Sequence, residues 1–124
     1  REGTIKTFTW AFTQGTHYGH CNSQADVGTA AGRTVLTIHA DHLFYDDLVS
    51  EEPNLAFQLI ADADFDLDGD ITQAELSAVD LRTQERYQVG NTGITDLWNF
   101  IARQATTLGH IDGEGHCEET TLLE

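Results

Sequence analysis

DFDLDGDITQAE, residues 64–75, places acidic side chains at its first, third, fifth, seventh and twelfth positions and a glycine at its sixth. Asp64, Asp66 and Asp68 set three carboxylates at alternate positions of a tight loop, and Gly69 allows the sharp turn that brings them together. Asp70 can offer its carbonyl, Thr72 can hold a water, and Glu75 can close the cage with both oxygens. Ile71, between these donors, reads as an apolar anchor. A solvated acidic turn would account for the charge but not for the phasing of carboxylates, glycine, isoleucine and terminal glutamate together.

A hard cation with six to eight oxygen ligands wants this supply of donors, and Ca²⁺ fits it better than Mg²⁺, which prefers a tighter octahedron with retained waters. The flanks agree. Ser50 followed by EEPNLAFQLIADA, residues 51–63, reads as a helix start with early acids and a first-turn proline. Ala56, Leu59, Ile60 and Ala63 recur at helical spacing, and Leu76 and Val79 continue such a face after the loop. The unit from about 51 to 82 resembles an EF-hand, and its loop matches that family's pattern at every informative position. The resemblance covers about a quarter of the chain. EF-hands usually pair, and NTGITDLW (91–98) weakly resembles DGDITQAE (68–75) when Ile94 is set against Ile71. That alignment gives a partner loop stripped of its ligands; the alternative is a lone EF-hand packed on other structure.

Working outward, TIKTFTWAFT (4–13) alternates Phe8, Trp10 and Phe12 with polar neighbours, the pattern of a half-buried strand. Residues 14–33 read as a long glycine-broken loop carrying HYGHC (17–21). RTVLTIHADHLFYDDL (33–48) begins as a second strand, with Leu36 and Ile38 on one face and Val35, Thr37 and His39 on the other. It ends near Ala40, where Asp41 can cap a short turn or helix. A last helix spans 94–109, capped by Thr95, with Leu97, Trp98, Ile101, Ala102, Ala105 and Leu108 as its apolar side and Gly109 as its stop. The polar tail 110–124 carries GEGHC (113–117). The expected fold is α+β in a single domain, 1–124: an N-terminal antiparallel strand pair within residues 4–49, packed with the EF-hand and the C-terminal helix.

With 124 residues and 40% hydrophobic content the chain can bury a real core. Its net charge of −15 argues against nucleic acid or an anionic membrane as partner and suits metal cations, a basic or extracellular protein, or simple solubility. No apolar run approaches the roughly 20 residues of a membrane span. The numbered chain has no methionine, not even a starter, which reads as a processed or trimmed fragment with any export signal out of view. Cys21 and Cys117, an even pair in a small acidic chain, point to a disulfide and an exported location, whether periplasmic, cell-surface or secreted; two free buried thiols are the alternative. A bridge closing so long a loop contributes roughly 4 to 5 kcal/mol in the chain-entropy estimate, before strain is counted.

Six histidines form a second candidate set of metal ligands: His17 and His20 before Cys21, His39 and His42 in HADH, and His110 and His116 before Cys117. A disulfide would draw the regions of His20 and His116 together, and with His39 or His42 nearby three imidazoles could hold Zn²⁺ or Cu²⁺. Scattered histidines in ordinary hydrogen bonds are the competing reading. HADH lacks the spacing and glutamate of HExxH, and CxxC, GxGxxG and a nucleophile elbow are missing, so no catalytic residue is assigned. The sequence therefore points first to a calcium-binding domain, and second to a transition-metal protein or metalloenzyme built on the histidines.

Overall fold

A computed structural model describes residues 4–22 and 33–122. In chain order the regular elements are β1 (Gly15–Gly19), β2 (Leu36–Ile38), α1 (Gln58–Ala61), α2 (Gln73–Ala78), α3 (Leu97–Gln104), β3 (Gly109–Ile111) and β4 (Glu118–Leu122). Short 3₁₀ turns cover Ala40–Phe44, Leu81–Thr83 and Ala105–Thr107. The fold is α+β. Its strands make two separate antiparallel pairs, β1 with β4 and β2 with β3.

Each strand from the first part of the chain thus finds its partner at or within the polar tail, which itself carries strand. The Cys21–Cys117 disulfide lies just beyond the β1–β4 ladder, and Asn22 N–H donates to the His116 carbonyl at 2.9 Å beside it. The covalent tie and the two ladders close the chain's ends onto one another. Of the long loop expected over 14–33, residues 15–19 form β1, and 23–32 lie outside the described residues.

Residues 4–13 do not form the expected ladder strand. They run as an extended arm over the helices, held by aromatic packing: Phe8 stacks on Trp10 at 4.0 Å between ring centres, and Phe12 stacks on Trp98 at 5.4 Å. The alternation put Phe8, Trp10 and Phe12 on one side, but only Trp10 is partly buried against the core, Phe8 and Phe12 being 43% and 39% exposed, and among the described residues no neighbouring strand covers them. The arm's one backbone bridge joins Thr7 to Asp70.

The helices are shorter than the periodicity predicts. Residues 53–56 run antiparallel to 44–47, with Tyr45 bridged to Leu55, so helix begins only at Gln58. The Asp46 carboxylate causes this by accepting the Asn54 N–H at 2.9 Å and Arg86 Nε at 2.8 Å, which fixes 54 in a non-helical turn. Helix α3 starts after Asp96, not Thr95: the Asp96 carboxylate accepts the Asn99 N–H at 2.9 Å, while the Thr95 carbonyl is taken by the Leu81 N–H. A 3₁₀ turn replaces its last residues.

The core gathers Phe100, Leu97 and Ile101 of α3, Leu76 of α2 and Ile71 of the acidic loop, each at most 2% exposed. Burying such side chains is worth about 1.5 to 3 kcal/mol apiece. Through Ile71 the acidic loop is fastened directly to the core. On β2 the apolar face points the other way from a core face: Leu36 and Ile38 are 78% and 71% exposed, and Thr37 and His39 turn inward.

Candidate metal centres

The acidic loop lies between α1 and α2. Asp64 is buried at its start, and Leu67 and Gly69 adopt positive φ of 63° and 88°, curling the backbone around the carboxylates. Successive turns are stitched by side chains. Asp64 accepts the Gly69 N–H at 3.1 Å, Asp66 that of Asp68 at 3.2 Å, and Asp68 that of Asp70 at 2.8 Å. Asp64, Asp66 and Asp68 each bring an oxygen within 4.8 Å of the others.

Glu75 stands in a capping box at the head of α2. Its carboxylate accepts Phe65 N–H at 2.9 Å and Thr72 N–H at 2.8 Å, bracing the loop's beginning against its end. The Thr72 donors, then Phe65, hold the Glu75 carboxyl below its ordinary range. Asp66 behaves oppositely. The Asp68 N–H draws its carboxyl down, but burial and repulsion from Asp68, Glu75 and Asp64 outweigh that and push it up. Mutual repulsion of this kind is what a bound cation relieves.

Two features of the loop escape a motif reading. The Asp64 Oδ2 atom accepts from the ammonium of Lys6, which holds the carboxyl below its ordinary range, while Oδ1 is buried without a partner among the described residues. The N-terminal arm also clamps the loop: Thr7 N–H donates to the Gly69 carbonyl and Ile71 N–H to the Thr7 carbonyl, both at 2.8 Å, and the Trp10 indole reaches the Ile71 carbonyl at 3.1 Å. The segment paired with the loop is therefore this arm. NTGITDLW instead packs Ile94 against the core and pairs its end with residues 79–81.

The histidines divide. His39 and His42 of HADH and His110 and His116 of the tail come together, and His17 and His20 do not join them. Register explains the first group: Thr37 faces His110 across the β2–β3 ladder, which puts His110 on the inward side shared by Thr37 and His39. The 3₁₀ turn then carries His42 back toward the same point. Ring centres of His110 lie 4.6 Å from His39, 5.0 Å from His42 and 5.4 Å from His116. His17 stands on β1 opposite Thr120, and His20 pairs with Glu118 at 2.9 Å.

Within the cluster His110 is 6% exposed, and neither ring nitrogen has a hydrogen-bond partner among the described residues. Buried polar groups are rarely left so, since each orphan costs roughly 1 to 3 kcal/mol. His42 Nδ1 is 3.0 Å from the Thr107 hydroxyl, and burial, followed by the proximity of His110, pushes its imidazole below the ordinary value. Asp41 lies beside His39 and His42, with its carboxylate accepting the Tyr45 hydroxyl at 2.9 Å. An open cleft of about 370 Å³, lined by His42, Arg103, Gln104, His110, Glu114 and His116, leads to the rings. Asp41 sits inside HADH and was open to a sequence reading, whereas sequence spacing could not nominate Glu114, because the ladder register that brings it near is a tertiary property.

Among the described residues no helix is long and apolar enough to cross a membrane. Comparison with protein-family models, with curated proteins and with solved structures finds no match to this chain.

Proposed function

We propose that this chain is an exported calcium-binding domain in which one Ca²⁺ in the loop Asp64–Glu75 braces the fold. The observation that supports this most is the convergence of Asp64, Asp66 and Asp68 on one point, with a buried, unpartnered Asp64 oxygen among them. Carboxylate and carbonyl oxygens are the donors that hard divalent ions take, and Asp70, Thr72 and Glu75 supply the remainder of the set. The role is structural rather than signalling. A sensor opens a methionine-rich groove, whereas this chain has no methionine, a disulfide and a loop anchored through Ile71 in the core. The disulfide also supports an oxidising compartment.

The test compares thermal unfolding of protein stripped with chelator and protein in excess Ca²⁺, with an environment-sensitive dye present. Calcium should raise the midpoint by mass action without increasing dye binding in the folded state. An unchanged midpoint would contradict calcium binding, and a calcium-dependent rise in dye binding would contradict the structural role.

A second reading is favoured by His110. Among the described residues His39, Asp41 and His42 bring ligand atoms within 4.8 Å of one another, and the buried His110, with neither nitrogen partnered, and His116 stand alongside, which suits a borderline or soft divalent ion, Zn²⁺ or Cu²⁺. The adjoining cleft would leave such an ion accessible, as in reactive or metal-delivering centres. Crystals grown with each metal, measured at the zinc and copper absorption edges, test it: a peak among the four rings supports the reading, and metal-loaded protein without one contradicts it.

A further inference from the structure

The chain has 21 acidic residues and a single lysine, Lys6, and that lysine sets its ammonium on the first carboxylate of the acidic loop. We propose that Lys6 is a tethered cation that competes with calcium for the loop and thereby determines its affinity; the inference rests on the calcium-binding reading of that loop.

Three observations carry it. The contact is positioned, because Thr7, the next residue, is hydrogen-bonded on both sides to the Gly69 carbonyl and the Ile71 N–H. The arm bearing Lys6 is further held by Trp10 on the Ile71 carbonyl and by the edge contacts of Trp10 with Trp98 and Phe8 with Phe44. The ammonium is therefore delivered at high effective concentration to one place. Finally, the Lys6 side chain is 25% exposed and that of Asp64 1%, so water screens the pair weakly on the carboxylate side.

The Asp64 oxygen left open to a divalent ion is Oδ1, on the same carboxylate whose Oδ2 holds the Lys6 ammonium, so the two cations would meet across one carboxylate and repel. Calcium entry then works against Lys6 and favours its departure, and the apparent dissociation constant rises with the fraction of molecules in which Lys6 holds Asp64. The same pair neutralises part of the loop's charge when no divalent ion is present. Lys6 thus stabilises the calcium-free protein and weakens calcium binding at once. A lysine that merely supported the loop would favour both.

The test pairs calcium titration of the full chain, its Lys6→Gln variant and its Lys6→Arg variant with chemical labelling of the lysine amine. Lys6→Gln should bind calcium at least about 10-fold more tightly while its calcium-free form unfolds at lower temperature, and Lys6→Arg should stay near wild type. Calcium should also raise the labelling rate of Lys6, read by mass spectrometry as the one modified lysine peptide. Equal or weaker affinity in Lys6→Gln, with binding intact, would overturn the proposal and leave the calcium reading standing. Absence of calcium binding by all three proteins would overturn both. If Lys6→Gln fails to fold without calcium, unchanged labelling of wild-type Lys6 on calcium addition would still overturn the competitor role.

Discussion

Thr37 and His110 face each other across the β2–β3 ladder, and this register brings His110 of the tail against His39 and His42 of HADH, with His116 beside it. Because side chains alternate between faces, a slip of one residue would send His110 to the side where Leu36 and Ile38 now stand exposed. Under the second reading, zinc or copper affinity should fall by at least about 10-fold in His110→Ala and be unchanged in His17→Ala. Binding should weaken as the solution is taken below about pH 6.5, where ordinary imidazoles protonate. Calorimetric titration of the two variants checks this, and equal loss in both would indicate binding spread over surface histidines.

The Asp46–Arg86 pair yields a pH prediction. Burial raises the Asp46 carboxyl, but Arg86 and the Asn54 N–H outweigh it, so in the folded state it lies below the ordinary value of 3.8. The folded form therefore holds the proton less tightly than the unfolded one. The pair's contribution is fully present above that ordinary value and is lost as pH falls below it. Asp46→Asn should lower stability near neutral pH by about 1 to 3 kcal/mol, by weakening donors' interactions at a buried acceptor. The deficit should shrink as acid protonates the wild-type carboxylate, and chemical denaturation at pH 7 and pH 3 gives the comparison.

Backbone strain in the acidic loop gives a substitution that should stabilise. Leu67 has φ of 63° yet is 82% exposed, so its side chain carries the left-handed penalty while burying little. Leu67→Asn should gain about 0.5 to 1 kcal/mol, since asparagine tolerates that conformation better. Gly69→Ala, at φ of 88°, should lose about 1 kcal/mol or more. Urea midpoints of calcium-free protein would read both signs.

The convergence of Asp64, Asp66 and Asp68 was legible because the three lie at alternate positions of one short loop, so their spacing is itself the geometry. The disulfide was legible from the count of two cysteines. The rest depends on contacts between distant residues. Alternation in 4–13 and 33–39 announced extended chain but could not say that aromatic packing would hold the first, or that β3 would pair with the second. Helical spacing in 51–63 was real for Ile60 and Ala63, yet the buried Asp46 carboxylate captured Asn54 and cut the helix back. Lys6 had a visible signal in being the only lysine, but its target lies 58 residues away.

Reduction of Cys21–Cys117 tests how far the ends depend on their tie. The bridge links residues 96 apart, so its removal should cost roughly 2 to 5 kcal/mol, and alkylation of unreduced protein should label no thiol. Mass spectrometry before and after reduction, with denaturant curves of both forms, measures the two effects. Two thiols alkylated without reductant would contradict the bridge.

Calcium titration by calorimetry tests the central claim most directly. Protein stripped of metal should bind one Ca²⁺ per chain, and both Asp64→Ala and Glu75→Gln should weaken binding by at least about 10-fold, because each removes a ligand oxygen or its charge. His110→Ala should bind calcium as wild type does. Heat without stoichiometric saturation, or equal calcium binding by wild type, Asp64→Ala and Glu75→Gln, would contradict the assignment.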